Sequence, residues 1–304
     1  MRIREIADEL GYVASSAASG LASGRTLAMG VVVPSVSRWF YTTVIEGIDA
    51  TLRDANYDVI LYNLASRGGD RERVFHRSIL RKRTDALVAV GIDFSATERE
   101  QLLSIGHPMI MIGGPVKGIR HIGVDDVAVA TIATSHLIGL GHREIAHLGG
   151  DDVGGLNRRI PVDRRQAFIA TMTAAGLQTR PEWLLSGHFS TAASRTVMNE
   201  VFGRPGPRPT AVFASSDEMA IGVMLAAIDS GIRVPEELSV IGIDNHDLSE
   251  SFGLTTVAQD AYGQGALGAT ILLEDLALGA ASRRTSVRAD AALLLRTSTA
   301  APAR

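Results

Sequence analysis

The chain has 304 residues, a formal net charge of −3 and no cysteine, with 46% of its residues hydrophobic and 21% charged. That balance is ordinary for a globular protein and leaves room for two domains. It excludes disulfides, thiolate chemistry and cysteine-ligated metals and a body that binds polyanions generally; with Lys82 and Lys117 the only lysines, it also leaves no Gly-Lys-Ser/Thr phosphate loop.

No apolar run reaches the roughly 18 residues that span a bilayer. Met1–Leu10 is amphipathic and mixed in charge, unlike the apolar core of a signal peptide. A cytoplasmic protein is expected. Ile3, Ile6, Ala7 and Leu10 sit at helical spacing, and Gly11 follows as a C-cap. This helix is too short to stand without a partner. Ser15 or Ser16 is placed to cap a second short helix through Leu21. Ser23-Gly24-Arg25-Thr26 is a polar joint, and a disordered arm over 1–26 is the alternative reading.

From Leu27 the pattern alternates between strands and helices. Strands are expected over 29–33, 57–62, 86–91, 109–112 and 121–124, with helices over 41–55, 71–81 and 97–104. The pattern then restarts, with helices over 127–140, 164–175, 193–201, 218–230 and 262–278. Strands fall at 145–149, 211–214, 240–243 and, weakly, 291–295, and 297–304 reads as a loose tail. Strand–helix units joined by short connections build a parallel, doubly wound sheet. The expected fold is therefore α/β with two doubly wound parallel-sheet lobes.

Several landmarks resemble the lac repressor family of transcription regulators. They include Ile6-Ala-Asp-Glu-Leu-Gly-Tyr12, Leu21 before Ser-Gly-Arg-Thr, Gly30-Val-Val-Val-Pro34, Gly123-Val-Asp-Asp126, His136–Gly150, Phe213–Gly222, Val234–Asn245 and Leu254-Thr-Thr-Val257. The resemblance implies a type I periplasmic-binding-protein-like body over 27–304. Lobe 1 would take about 27–124 and 258–284, and lobe 2 about 125–257 and 285–298. Residues 1–26 would be a remnant of a helix-turn-helix headpiece plus hinge helix, starting inside its third helix. Ser16, Ala17 and Leu21 would be the hinge's DNA contacts, Leu21 wedging into the minor groove. Ser19, Gly20 and Val13-Ala14 depart from the family's hinge pattern.

The implied function is a ligand-responsive repressor. It would be a homodimer that binds operator DNA through headpiece and hinge, and neither an enzyme nor a membrane protein. The rival is a solute-binding protein of a transport system, which predicts a signal peptide or a lipid-attachment cysteine.

In such a fold the ligand lies outside the carboxyl ends of the strands. Strand ends place Ser35, Trp39, Phe40, Tyr41, Asp151, Phe213, Ser216, Asp217 and Asp244 there, and Arg164 opens the next helix. The family's effector contacts match Arg164 and Asp244. Core packing is the alternative for Trp39–Tyr41, solvation for Arg164, and helix N-capping for Asp217. Carboxylates with one arginine and aromatic faces suit a hydroxyl-rich ligand, a sugar or polyol first and a nucleoside or purine second. No cofactor, catalytic residue or metal site is expected. Gly263-Gln-Gly-Ala-Leu-Gly268 spells a dinucleotide fingerprint, yet no apolar strand runs into it and Arg283 stands where an acidic residue belongs. His142 and His147 do not have the spacing of helical metal ligands and read as structural.

Overall fold

The computed structural model describes residues 25–64, 83–150, 159–279 and 286–303. The helix expected over 71–81, the N-terminal helices and the hinge residues Ser16, Ala17 and Leu21 lie outside the described residues.

Strand β1 (Ala28–Val33) is buried along its whole length. Its apolar, largely β-branched side chains cover both faces, as a parallel strand between two layers requires. It pairs in parallel with β2 (Asp58–Asn63) and β3 (Ala86–Val90). Beyond β3 the sheet continues through β4 (Met109–Ile112), β5 (Arg120–Gly123) and a short β11 (Val287–Arg288), all parallel. Helices α1 (Trp39–Asp54) and α2 (Ala96–Leu103) belong to this lobe. Ser95 and Glu98 form a reciprocal capping box at the start of α2.

The chain then crosses to a second sheet. Helix α3 (Asp126–Gly139) is capped by Asp125, whose Oδ1 accepts from the Ala128 N–H at 3.0 Å. Strands β6 (Ile145–Gly149), β7 (Leu184–Ser186), β8 (Ala211–Ala214), β9 (Ser239–Asp244), β10 (Thr255–Gln259) and β12 (Ala291–Leu294) lie in the order β12-β10-β9-β8-β6-β7. Only β12 runs antiparallel. Helices α4 (Arg159–Ala174), α5 (Thr191–Gly203) and α6 (Asp217–Asp229) flank this sheet. Each sheet is sandwiched by apolar clusters, with Val31, Ile48 and Ile112 in one lobe and Phe168, Phe213 and Val240 in the other. Every such side chain contributes about 1.5–3 kcal/mol by leaving water.

Helix α7 (Ala261–Leu278) returns to the first lobe and packs on α1. A Cβ at Gly47 would lie 2.1 Å from the Tyr262 carbonyl oxygen, and one at Gly265 would lie 2.1 Å from that of Val44. The glycines at this crossing therefore bring two helix backbones together, which accounts for Gly265 within the false dinucleotide fingerprint.

Three expectations need correction. Residues 287–288 pair with β5, so the third crossing falls at Ala289–Asp290 rather than at the expected 284/285 boundary. Thr255–Gln259 is a strand where the sequence pattern marks none. Its threonines are buried because their hydroxyls are satisfied, Thr256 by Asp217 and Thr255 by Thr299. The segment from 297 is no loose tail. Ser298 is buried, its Oγ accepts from the Thr255 N–H and donates to the Val240 carbonyl, and the Ser239 hydroxyl takes the Ala300 N–H. His142 secures the same segment, with Nε2 2.9 Å from the Ala300 carbonyl and Nδ1 2.9 Å from the Thr210 hydroxyl.

Candidate functional site

A cavity of about 490 Å³ opens between the lobes, outside the carboxyl ends of both sheets. That is the size and position of a small-molecule site. Of the residues expected there, Ser35, Phe40, Tyr41, Arg164, Ser216 and Asp244 line it. Asp151 lies outside the described residues.

Trp39, Phe213 and Asp217 do not line the cavity. Phe213 is fully buried on the opposite face of β8, 5.2 Å from the His147 ring and 6.3 Å from Phe168. Trp39 packs on His246 of the other lobe, ring centroids 5.1 Å apart. Asp217 is a structural anchor for the turn after β9. Its Oδ2 accepts from the His246 N–H at 2.9 Å and the Ser249 hydroxyl at 2.7 Å, and its Oδ1 accepts from Thr256 at 2.7 Å. Nor is Asp217 the N-cap. Ser216 is, its Oγ taking the Met219 N–H at 3.3 Å. Burial raises the Asp217 carboxyl to about 6, with those donors pulling the other way.

Arg164 projects from α4 with only 4% exposure. Its Nε and Nη2 both reach Asp126 Oδ1 at 2.8 Å, and Nη1 donates to the Ser215 carbonyl. The guanidinium is thus held by oxygens of the protein itself. Burial raises the Asp126 carboxyl and the Arg164 charge opposes it. Asp244 ends β9 with φ +125°, followed by Asn245 at +62°. Non-glycine residues there store about 1–3 kcal/mol of strain, and such strain gathers at functional sites. Burial pushes the Asp244 carboxyl up to about 7 against the pull of Arg164. Glu218, in the first turn of α6, is also raised to about 7 by burial, with Arg38 opposing.

Several lining residues carry no signal in the sequence. Gly91 lets Tyr41 approach the backbone at the end of β3, and Gly113 ends β4 at φ +110°, a conformation that favours glycine. His188 and Phe189 come from the loop after β7, which no pattern predicted. Gln259 and Gln264 form a chain with Asp244. Gln259 Nε2 donates to Asp244 Oδ1 at 2.7 Å, and Gln264 Nε2 donates to Gln259 Oε1 at 3.1 Å.

The lobes touch across the cavity. Arg38 Nη2 donates to the His188 carbonyl at 3.2 Å, and the Arg159 N–H to Asp93 Oδ2 at 3.2 Å. With Arg38 and Arg164 against Asp126, Glu218 and Asp244, the lining carries more carboxylates than cations. Its carboxyl oxygens can accept hydrogen bonds, and Phe40, Tyr41 and Phe189 add aromatic surface to the wall.

A family model for the periplasmic binding protein-like domain matches residues 134–299. The chain is 29% identical over 309 residues to the HTH-type transcriptional repressor CytR of Escherichia coli strain K12, covering 99% of this chain and 87% of that protein. It is 31% identical over 280 residues to the HTH-type transcriptional repressor PurR of Vibrio vulnificus, covering 90% of this chain and 81% of that one. Among solved structures, a transcriptional regulator from Enterococcus faecium with bound ribose superposes with a TM-score of 0.76 at 25% identity, covering 90% of this chain and 99% of that one.

Proposed function

The chain belongs to the LacI family of transcription regulators, and on that premise we propose that its cleft takes a small, uncharged, sugar-like effector whose binding controls operator DNA. The observation that carries the ligand class is the Asp126–Arg164–Asp244 arrangement. Carboxylates accept pairs of hydroxyl hydrogens, and Arg164 is already committed to Asp126 and the Ser215 carbonyl. A phosphate or carboxylate would meet three carboxyl groups and an Arg164 already engaged by the protein. The Enterococcus faecium regulator with its bound ribose supports the same class. A nucleoside is the second reading, favoured by the aromatic rings of Phe40, Tyr41 and Phe189 in the cavity wall.

Effector binding would close the lobes and move the first lobe's N-terminal edge, where β1 begins and where the hinge enters. In this proposal the protein is cytoplasmic. It acts as a homodimer, because two-fold operators are read by two-fold proteins. Among the described residues no helix is long and apolar enough to cross a membrane.

Calorimetric titration with D-ribose, D-glucose, cytidine and adenosine tests the site. Arg164→Ala and Asp244→Ala should each weaken the probe that binds by about 2 kcal/mol or more, because each leaves a buried polar partner unpaired. Unchanged affinity in both folded variants would show that the ligand sits elsewhere.

A further inference from the structure

Among the described residues, three carboxyl side chains line the cavity, those of Asp126, Asp244 and Glu218. Two of them are already held by other side chains. Asp126 takes Nε and Nη2 of Arg164 on Oδ1, and Asp244, only 7% exposed, takes the Gln259 amide on Oδ1. Glu218 is half-buried, and among the described residues no other side chain donates a hydrogen bond to its carboxyl.

The direction of the Glu218 side chain follows from its neighbours. It stands in the first turn of α6, where its backbone carbonyl accepts from the Thr191 hydroxyl at 2.8 Å. Two charges act on its carboxyl: Arg38 attracts it and Asp244 repels it. Arg38 belongs to the first lobe and Asp244 to the second, and both line the cavity. The Glu218 carboxyl is therefore on the cavity side of α6, at the seam between the lobes.

The protein leaves acceptor capacity on this carboxyl. Arg38 cannot cap its own helix, since a guanidinium only donates, and α1 has no side-chain cap. The backbone N–H of Trp39, the first residue of α1, is directed to Glu218 from across the seam. Arg38 itself gives Nη2 to the His188 carbonyl. A carboxylate has about four acceptor positions on its two oxygens, so one N–H leaves most of them to whatever fills the cavity.

We propose that Glu218 is a specificity-determining residue of this cleft, whose carboxylate accepts a hydrogen bond from one hydroxyl of the effector. The inference rests on the sugar-or-nucleoside reading of the cleft and adds to it a carboxyl whose acceptors the protein has not taken. A ligand with a hydrogen or a methyl ether at that position loses the bond, and one with a phosphate meets like charge.

The test is a titration at pH 8, above the Glu218 value of about 7, with D-ribose, D-glucose, cytidine and adenosine on the 304-residue chain. The probe that binds is then compared with its single-deoxy analogues on the parent, on Glu218→Ala and on the near-isosteric Glu218→Gln. Both variants are first checked for an unchanged melting transition. The expected result is that Glu218→Ala weakens the probe about tenfold or more, as loss of a bond to a charged acceptor does, and Glu218→Gln about threefold or more, since its amide keeps one oxygen. Removing one particular hydroxyl should cost about tenfold on the parent but less than about twofold on Glu218→Ala, the non-additivity of two groups in contact. Retained affinity in both variants would overturn the role of Glu218 and leave the cleft's ligand class standing. So would an equal loss for the probe and every analogue, which would show that Glu218 serves only the seam, through the Trp39 N–H. Failure of all four probes on the parent would overturn the ligand class itself, and this inference with it.

Discussion

Asp244 shows what a single side chain contributes on both sides of the folding equilibrium. Its ordinary carboxyl value is 3.8, and burial in the cleft wall raises it to about 7. Between those values the folded chain holds a proton that the unfolded chain has released. The stabilisation linked to that proton is complete below about pH 4 and is lost as pH rises through 7. The melting temperature of Asp244→Asn minus that of the parent should therefore be several degrees more positive at pH 8 than at pH 5. Scanning both proteins across that range checks it, and a flat difference would show that Asp244 stays ionised when folded. Histidines held neutral by burial, such as His147 at about 3, push stability the opposite way in acid, but they cancel in the difference. Asp244 was legible because it closes an apolar strand, and Arg164 because it matches the family's effector contact, although its helix begins five residues earlier than expected, at Arg159. Phe213 and Trp39 were misplaced because position along the chain does not give the face of a strand or the turn of a helix. Gln259 and Gln264 left no mark, since an amide on a buried strand end looks like any polar surface residue until its partners are known.

Among the elements, the crossing of α1 and α7 depends most on residue size. A Cβ at Gly265 would meet the Val44 carbonyl at 2.1 Å, a backbone atom that cannot swing aside like a side chain. Gly265→Ala should lower stability by about 3 kcal/mol, at the upper end of overpacking costs because the helices must separate. For a chain of 304 residues that is a fall of roughly 5 °C in melting temperature. Gly203→Ala is the control, because a Cβ there meets nothing within 4 Å. Equal melting of the two variants would contradict the packing account. Most strands were legible because they are short apolar runs between turn residues, as in Met109-Ile-Met-Ile112. β7, β10 and β11 were not. β7 is three residues at a sheet edge, β11 is two residues, and the threonines of β10 read as a loop until Asp217 and Thr299 take their hydroxyls.

For the whole molecule, the question is what the contacts between the lobes contribute. The chain passes between them at Val124–Asp125, at Asp260 and at Ala289–Asp290, all beside the cleft. Closure therefore needs rotation only about three short strands of backbone, the geometry of a hinge. Trp39 at the head of α1 and His246 after β9 meet across the gap at 5.1 Å, and neither lines the cavity. Their contact joins the two lobes, so it would bias an equilibrium between open and closed arrangements toward the closed side without touching the cavity. An aromatic pair of this kind supplies about 1 kcal/mol. His246→Ala should shift the free protein toward the open state and weaken the effector by up to about fivefold, since apparent affinity scales with the fraction already competent to bind. The change should appear in small-angle scattering as a larger radius of gyration for the ligand-free variant than for the ligand-free parent. With saturating effector the two radii should coincide, because the closed state itself is the same. Loss of affinity with identical ligand-free radii would mean that His246 acts locally, through the turn that Asp217 anchors, and that the Trp39–His246 contact does not set the balance between the lobes.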